Sequence, residues 1–424
     1  MNALLLLMIT ALLFYYFIEG GNENSATPLP AAQSSISPSP EQNRSPNPST
    51  AAFTTAPQTY VEPTPAVEPT PTVEPMPAAE PVPAESPTPA AGGEGLISGL
   101  PQDAVSEGNT VKLSFGGDVI FAGKVGELLK KKGYDYPYAR LDGLLQQDDL
   151  TVINLETPVT EQGTGAANKQ FVFKSPPEAL DAMKEAGVDA VNLANNHTLD
   201  QGEQGLKDTL SNLDDRGIGH AGAGLTAESA YAAQYFERKG VTIALLGFTR
   251  VIPESSWQAG RNKPGLASVY DSKEGLKAIA EARKKANIVV VVVHWGIERV
   301  TQADAAQQSL GRSFIDAGAD LVIGGHPHVL QGIEPYKGKW IAYSTGNFIF
   351  TKSTTPATWE TAVVQAECST QGQCQLQLKP FNAELGQPVP MSDADGQKLF
   401  KKVESLSWGR IKIGSDGKVI HSSE

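Results

Sequence analysis

Between residues 110 and 350 the chain alternates short apolar runs with amphipathic stretches, the pattern of an α/β fold. VKLSF at 111–115 predicts a strand that runs into Gly116-Gly117-Asp118, and LTVINL at 150–155 a second strand ending at Glu156. Pro176-Pro177-Glu178 opens a helix over 176–186, which feeds the run AVNLA at 190–194. Helical periodicity returns at about 203–216 and 272–286, on either side of a strand VTIALLGF at 241–248. NIVVVVVHW at 287–295 is β-branched almost throughout, as a strand buried on both faces is. A helix at about 303–317 leads to ADLVIGG at 319–325 and then WIAYSTGNFIF at 340–350. These runs predict one α/β domain over 109–424, with a largely central sheet and antiparallel strands added late.

The first quarter of the chain is of another kind. Residues 3–18, ALLLLMITALLFYYFI, carry no charge but fall short of the roughly 20 residues that span a bilayer. Residues 1–19 are therefore expected to be a signal-anchor or a signal peptide. Residues 20–108 repeat a Glu-Pro-x-Pro theme, as in VEPTPAVEPTPTVEPMPAAEPVPAESPTP. Such a segment favours extended polyproline II and builds no core, so it reads as a disordered Pro/Glu-rich linker. Eleven acids face Arg44 alone over residues 1–108, which places −10 of the formal −13 charge there. The acidity belongs to the stalk, and the absence of a basic stripe excludes nucleic acid as a partner. Cys368 and Cys374 stand between two alternating runs, TAVVQA and QLQLKP. Their spacing fits a hairpin closed by a disulfide, which needs an oxidising compartment. Two free thiols or a metal pair are the alternatives. The expected arrangement is an extracytoplasmic domain tethered to a membrane, or secreted if the first segment is cleaved.

Polar residues fall at one recurring place. Asp118, Glu156, Asn195-Asn196-His197, His294 and His326-Pro327-His328 all stand at the C-terminal end of a predicted strand, the edge where α/β sheets bind ligands. Each alone has an ordinary explanation in turn or cap chemistry. Together, four imidazoles and two carboxylates at five strand ends predict a metal or catalytic site. Imidazole, carboxylate and amide oxygen suit Mn, Fe or Zn. Two such ions can clamp both oxygens of a phosphoryl transfer, with a histidine outside the metal shell as acid.

The series GGDV, INLETP, LANNHTLDQG, VVVVHWGIE and GGHPHVLQGIE…YSTGNF resembles the bacterial CapA family of poly-γ-glutamate capsule synthesis, which belongs with the calcineurin-like metallophosphoesterases. The resemblance covers roughly residues 110–355. It implies a β-sandwich flanked by helices, in four layers αββα, holding one or two divalent ions. It implies that Asp118 and His328 serve the first metal, that Glu156 takes the place of the bridging Asp, and that Asn196, His294 and His326 serve the second. His197 would be the catalytic acid, oriented by Asp200. The family's first motif, Asp-x-His, departs here at Ile120, which removes one imidazole. Lys174 and Asn347 are further candidates for meeting substrate, His220 is a spare imidazole that could serve as a replacement metal ligand or cap a strand, and Gln331 and Glu334 are candidates for supporting roles. The implied partners are an anionic envelope polymer or phosphoester substrate and other capsule-synthesis proteins. Two function classes follow: a metal-dependent hydrolase or transferase, and a non-catalytic scaffold that keeps a vestigial metal site.

Overall fold

A computed structural model describes residues 109–422 apart from Asn168. The expected anchor at 1–19 and the stalk at 20–108 lie outside the described residues. Among those described, no helix is long and apolar enough to cross a membrane.

Two sheets form the centre where the apolar runs predict one. The eight-stranded sheet runs in the order β16 (Gln387–Pro390), β15 (Cys374–Glu384), β14 (Glu360–Ser369), β1 (Thr110–Val119), β2 (Leu150–Leu155), β3 (Ala190–Asn192), β4 (Gly219–Ala221), and β13 (Asn347–Ile349) also pairs with β1. The six-stranded sheet runs β11 (Ile333–Tyr336), β12 (Lys339–Ala342), β10 (Leu321–Gly325), β9 (Ile288–His294), β7 (Val241–Thr249), β6 (Gln234–Arg238). Two ribbons complete the strands: β5 (Ala223–Gly224) with β8 (Gly265–Leu266), and β17 (Ile411–Ile413) with β18 (Val419–His421).

The period-two rule places the layers. In β9, Ile288, Val290 and Val292 face the core between the sheets, where Val111, Leu113, Phe115, Leu245 and Ile323 also meet. Val289, Val291 and Val293 face outward, onto α5 (Lys273–Arg283), α6 (Ala305–Asp316) and the short α4 (Ala227–Tyr231). On the other side, Ile153, Leu155 and Val191 pack under α1 (Gly123–Lys132), α2 (Glu178–Glu185) and α3 (Gly202–Asp214). The order is helix, sheet, sheet, helix. Each fully buried Val, Leu or Ile contributes roughly 1.5–3 kcal/mol. A last helix, α7 (Asp393–Leu406), closes one end of the inter-sheet core with Leu399, Phe400 and Val403.

Three local features shape the larger sheet, the first two beside the site. First, β1 pairs with β14 over Thr110–Phe115 and with β13 at Asp118 and Val119. The exchange happens at Gly117, where a Cβ would stand 1.9 Å from the Gly346 carbonyl oxygen, so no other residue fits. Second, the run at 340–350 is not one strand: β12 ends in the smaller sheet, and Gly346 at φ 73° turns the chain toward β13 in the larger one. Third, β14 and β15 form the expected hairpin, and Cys368 and Cys374, paired in register, are joined as a disulfide. Residues 171–174 form no strand; the Phe173 N–H donates to the Asp200 carboxylate (2.7 Å) rather than to a ladder.

Candidate metal centre

β1, β2, β3 and β4 are parallel neighbours in one sheet, as are β7, β9, β10 and β12 in the other. Their C-terminal ends converge, so the predicted residues of both sheets come together. Gly325 lets the sheets approach here, since a Cβ on it would lie 2.6 Å from Asp118 Oδ1.

Asp118, Glu156 and His294 are fully buried, and each offers a ligand atom within 4.8 Å of the others. Asp118 accepts from the Asn154 amide (2.8 Å) and the His326 backbone N–H (3.1 Å), and lies 3.2 Å from His328 Nδ1. Burial opposes its ionisation, but the hydrogen bond and charge of His328 outweigh that and hold the carboxyl well below the usual range. Glu156 is pushed far the other way, by burial first and then by the charge of Asp118. Its Oε1 accepts from Asn154 (3.0 Å), while its buried Oε2 has no hydrogen-bond partner among the described residues. His294 touches Asn154 through Nδ1 (3.0 Å) and Asn196 Oδ1 through Nε2 (2.9 Å). Burial, then the neighbouring His326, keeps it neutral well below its ordinary pKa. The same burial, together with His328, takes His326 to about 3, and its buried Nδ1 also has no hydrogen-bond partner among the described residues. His328 is raised instead: burial alone would lower it, but Asp118 overrides that. Asn347 Oδ1 lies 2.9 Å from His328 Nδ1, and the Asn347 amide donates to the backbone of His328 and Thr358. Asn347 thus braces an imidazole.

His326 and His328 adopt φ of 92° and 56°, a left-handed backbone that costs β-carbon residues of order 1–3 kcal/mol each and that clusters at functional sites.

His197 sits beside this group on the turn between β3 and α3. Its Nδ1 lies 2.8 Å from Asp200 Oδ2, and its ring stacks on Phe173 with centroids 4.3 Å apart. Burial lowers its pKa, helped by the charge of Lys169 and opposed by Asp200. Asn195 shapes the turn: its Oδ1 accepts from the His197 N–H (3.0 Å) and its amide donates to the Leu155 carbonyl (2.8 Å).

Other candidates fall elsewhere. Lys174 is exposed and donates to the Glu161 and Gln162 carbonyls (3.1 and 3.4 Å). Lys169 is the lysine that enters the site, bound to Asp200 and to the Asn196 carbonyl (2.5 Å), and 3.1 Å from His197 Nδ1. His220 meets Asp214 (3.1 Å) at a sheet edge. Glu334 is buried but held by Arg312, Arg410 and Tyr343. Trp295 is a core residue. Ile120 packs under the helices of the larger sheet, so that face gives no stand-in for the imidazole it replaces.

Sequence reading missed Asn154, whose amide contacts Asp118, Glu156 and His294 while its Oδ1 accepts from Asn192 (2.9 Å) and Asn195 (3.2 Å). The signal was present: an amide inside the otherwise apolar LTVINL, two residues before Glu156 and on the same strand face. Ionised Asp118, neutral His294 and His326, and two buried atoms without a partner form the donor set a divalent ion of the Mn, Fe or Zn class takes. The residues fit such a group.

Residues 112–352 match the family of bacterial capsule synthesis protein PGA_cap. The chain is 34% identical over 307 residues to the PGA biosynthesis protein CapA of Bacillus subtilis (strain 168), covering 71% of this chain and 80% of that one. It is 33% identical over 321 residues to the capsule biosynthesis protein CapA of Bacillus anthracis, covering 74% and 78%. Among solved structures, Haemophilus influenzae NAD nucleotidase aligns with a TM-score of 0.38 at 13% identity, over 70% of this chain and 56% of that one, a likeness too slight to argue from.

Proposed function

The chain belongs to the bacterial capsule synthesis protein PGA_cap family, and on that premise we propose that it is a metal-dependent hydrolase or transferase of capsule and cell-envelope polymer assembly. It works outside the membrane, tethered by residues 1–19. Its substrate class is a phosphoester or an amide-linked polyanion, and the names of the relatives point to poly-γ-glutamate. The carrying observation is the buried Asp118–Glu156–His294 group beside the His197–Asp200 pair.

Asp118, Glu156, Asn196, His294, His326 and His328 would hold one or two ions. A bound divalent ion supplies Lewis-acid polarisation of a phosphoryl or acyl oxygen. Asp200 accepts the Nδ1 proton of His197, which fixes the tautomer and leaves Nε2 for proton transfer to a leaving group. Phe173, stacked on the ring, limits its rotation and excludes water from one face. Lys169, beside His197, gives an anionic substrate a cation to approach.

The buried Ile120 in place of an imidazole supports a second reading, a non-catalytic scaffold with a vestigial site. The test is His197→Ala in the full-length chain, with metal content and hydrolysis of a phosphodiester and a γ-glutamyl polymer measured together. Loss of turnover at unchanged metal content is expected. Equal activity in the variant sinks the role of His197, and no bound metal in the parent protein decides for the scaffold.

A further inference from the structure

The family resemblance divides the histidines at 326 and 328 between two ions, but the geometry offers another grouping. Their ring nitrogens group with the carboxylate of Glu298, all within 4.8 Å of one another, separately from the Asp118–Glu156–His294 group. The two groups adjoin: His328 Nδ1 lies 3.2 Å from Asp118 Oδ2, and the rings of His294 and His326 stand 4.7 Å apart.

The loop bearing Glu298 is pinned to the turn bearing the histidines. The Trp295 N–H donates to the Gly325 carbonyl (3.1 Å), the Arg299 N–H to the Pro327 carbonyl (2.7 Å), and the Gln331 amide to the Val300 carbonyl (2.8 Å). Gln331 thereby gains a role: it fixes the loop that carries the carboxylate. A second observation is independent of this grouping. His326 is only 5% exposed, yet its Nδ1 has no partner among the described residues, and a buried donor or acceptor left so costs about 1–3 kcal/mol. Both histidines also hold left-handed backbone angles.

We propose that Glu298, His326 and His328 form a second divalent-cation position, joined to the first through Asp118. This rests on the metal-centre reading above and changes its ligand set. Two imidazoles and one carboxylate are the donors of a zinc hydrolase site with an open coordination position. Glu298 then supplies, from the opposite sheet, the donor that the first motif lacks at Ile120. Being exposed on a loop, it is also the ligand nearest solvent, so this position exchanges its ion faster than the buried one.

The test is equilibrium dialysis of the full-length chain against Zn²⁺ or Mn²⁺ alone, comparing the parent with Glu298→Gln and Glu298→Ala, and with surface Glu254→Gln as control. The parent is expected to hold two equivalents and both Glu298 variants one, the second weakened at least 100-fold. Melting of the metal-free proteins should be unchanged. Two equivalents of parental affinity in the Glu298 variants overturn the proposal while leaving the metal centre standing. One equivalent in the parent, lost on substitution, supports Glu298 as a ligand; one that persists overturns it. No metal in the parent overturns both readings.

Discussion

Asn154→Leu removes the amide that ties the two sheets together beneath the site, at nearly constant volume. Its two N–H protons serve three acceptors, on Asp118, Glu156 and His294, and its carbonyl accepts from Asn192 and Asn195. A hydrogen bond to ionised Asp118 contributes about 1.5–3 kcal/mol, and leaving a buried partner unsatisfied costs about 1–3 kcal/mol. The metal-free variant should therefore lose on the order of 3–5 kcal/mol. With an ion bound, the carboxylates and His294 acquire another partner, so the loss should shrink to about half. Urea denaturation of parent and variant, each with chelator and with saturating Zn²⁺, measures both quantities. The decisive comparison is the difference of differences: metal should stabilise the variant more than the parent, which by linkage means that the folded variant takes the ion more tightly, by about 10-fold or more. A metal-free variant within about 0.5 kcal/mol of the parent would refute the claim that Asn154 holds the carboxylates in place.

Three further outcomes are expected. Lys169→Met removes a cation that depresses His197, so the His197 imidazole should titrate at higher pH in the metal-free variant; an unchanged NMR titration would place Lys169 outside its field. Burial pushes Asp148 from 3.8 up to about 6, while unfolded aspartate titrates near 3.9. The native state thus keeps a proton the unfolded chain has released, and stability falls as pH rises from about 4 to 6. Asp148→Asn should match the parent at pH 4 and exceed it at pH 8, and equal midpoints at pH 8 would contradict that. Replacing both Cys368 and Cys374 by Ser opens a loop with a sequence separation of 6. Chain entropy predicts a loss of about 2 kcal/mol, readable as a lower denaturation midpoint that reductant reproduces in the parent but not in the variant.

The strand ends were legible because apolar periodicity locates them, and a carboxylate or imidazole placed there has little else to do. Asn154 was hidden because it sits inside a run whose apolar character dominates the reading. Lys169 and Glu298 lie on loops, where no period says which side chain turns inward. Lys174 was the lysine read from the sequence, whereas Lys169 is held inward by its own ion pair with Asp200 and its bond to the Asn196 carbonyl. The division into two sheets was equally invisible in WIAYSTGNFIF: both halves are apolar, and only the turn at Gly346 separates them. The four layers followed from the family resemblance, not from these runs.

The pairing of β1 has a consequence for access. From Thr110 to Asp118 the strand rises about 26 Å, at roughly 3.3 Å per residue, and its first residues lie beside the disulfide, with Val111 opposite Cys368. The described chain thus begins at the end of β1 opposite to the one that carries Asp118. The first described residues of the domain therefore lie beside the cystine, and the rim of the site is built by strand ends and loops alone.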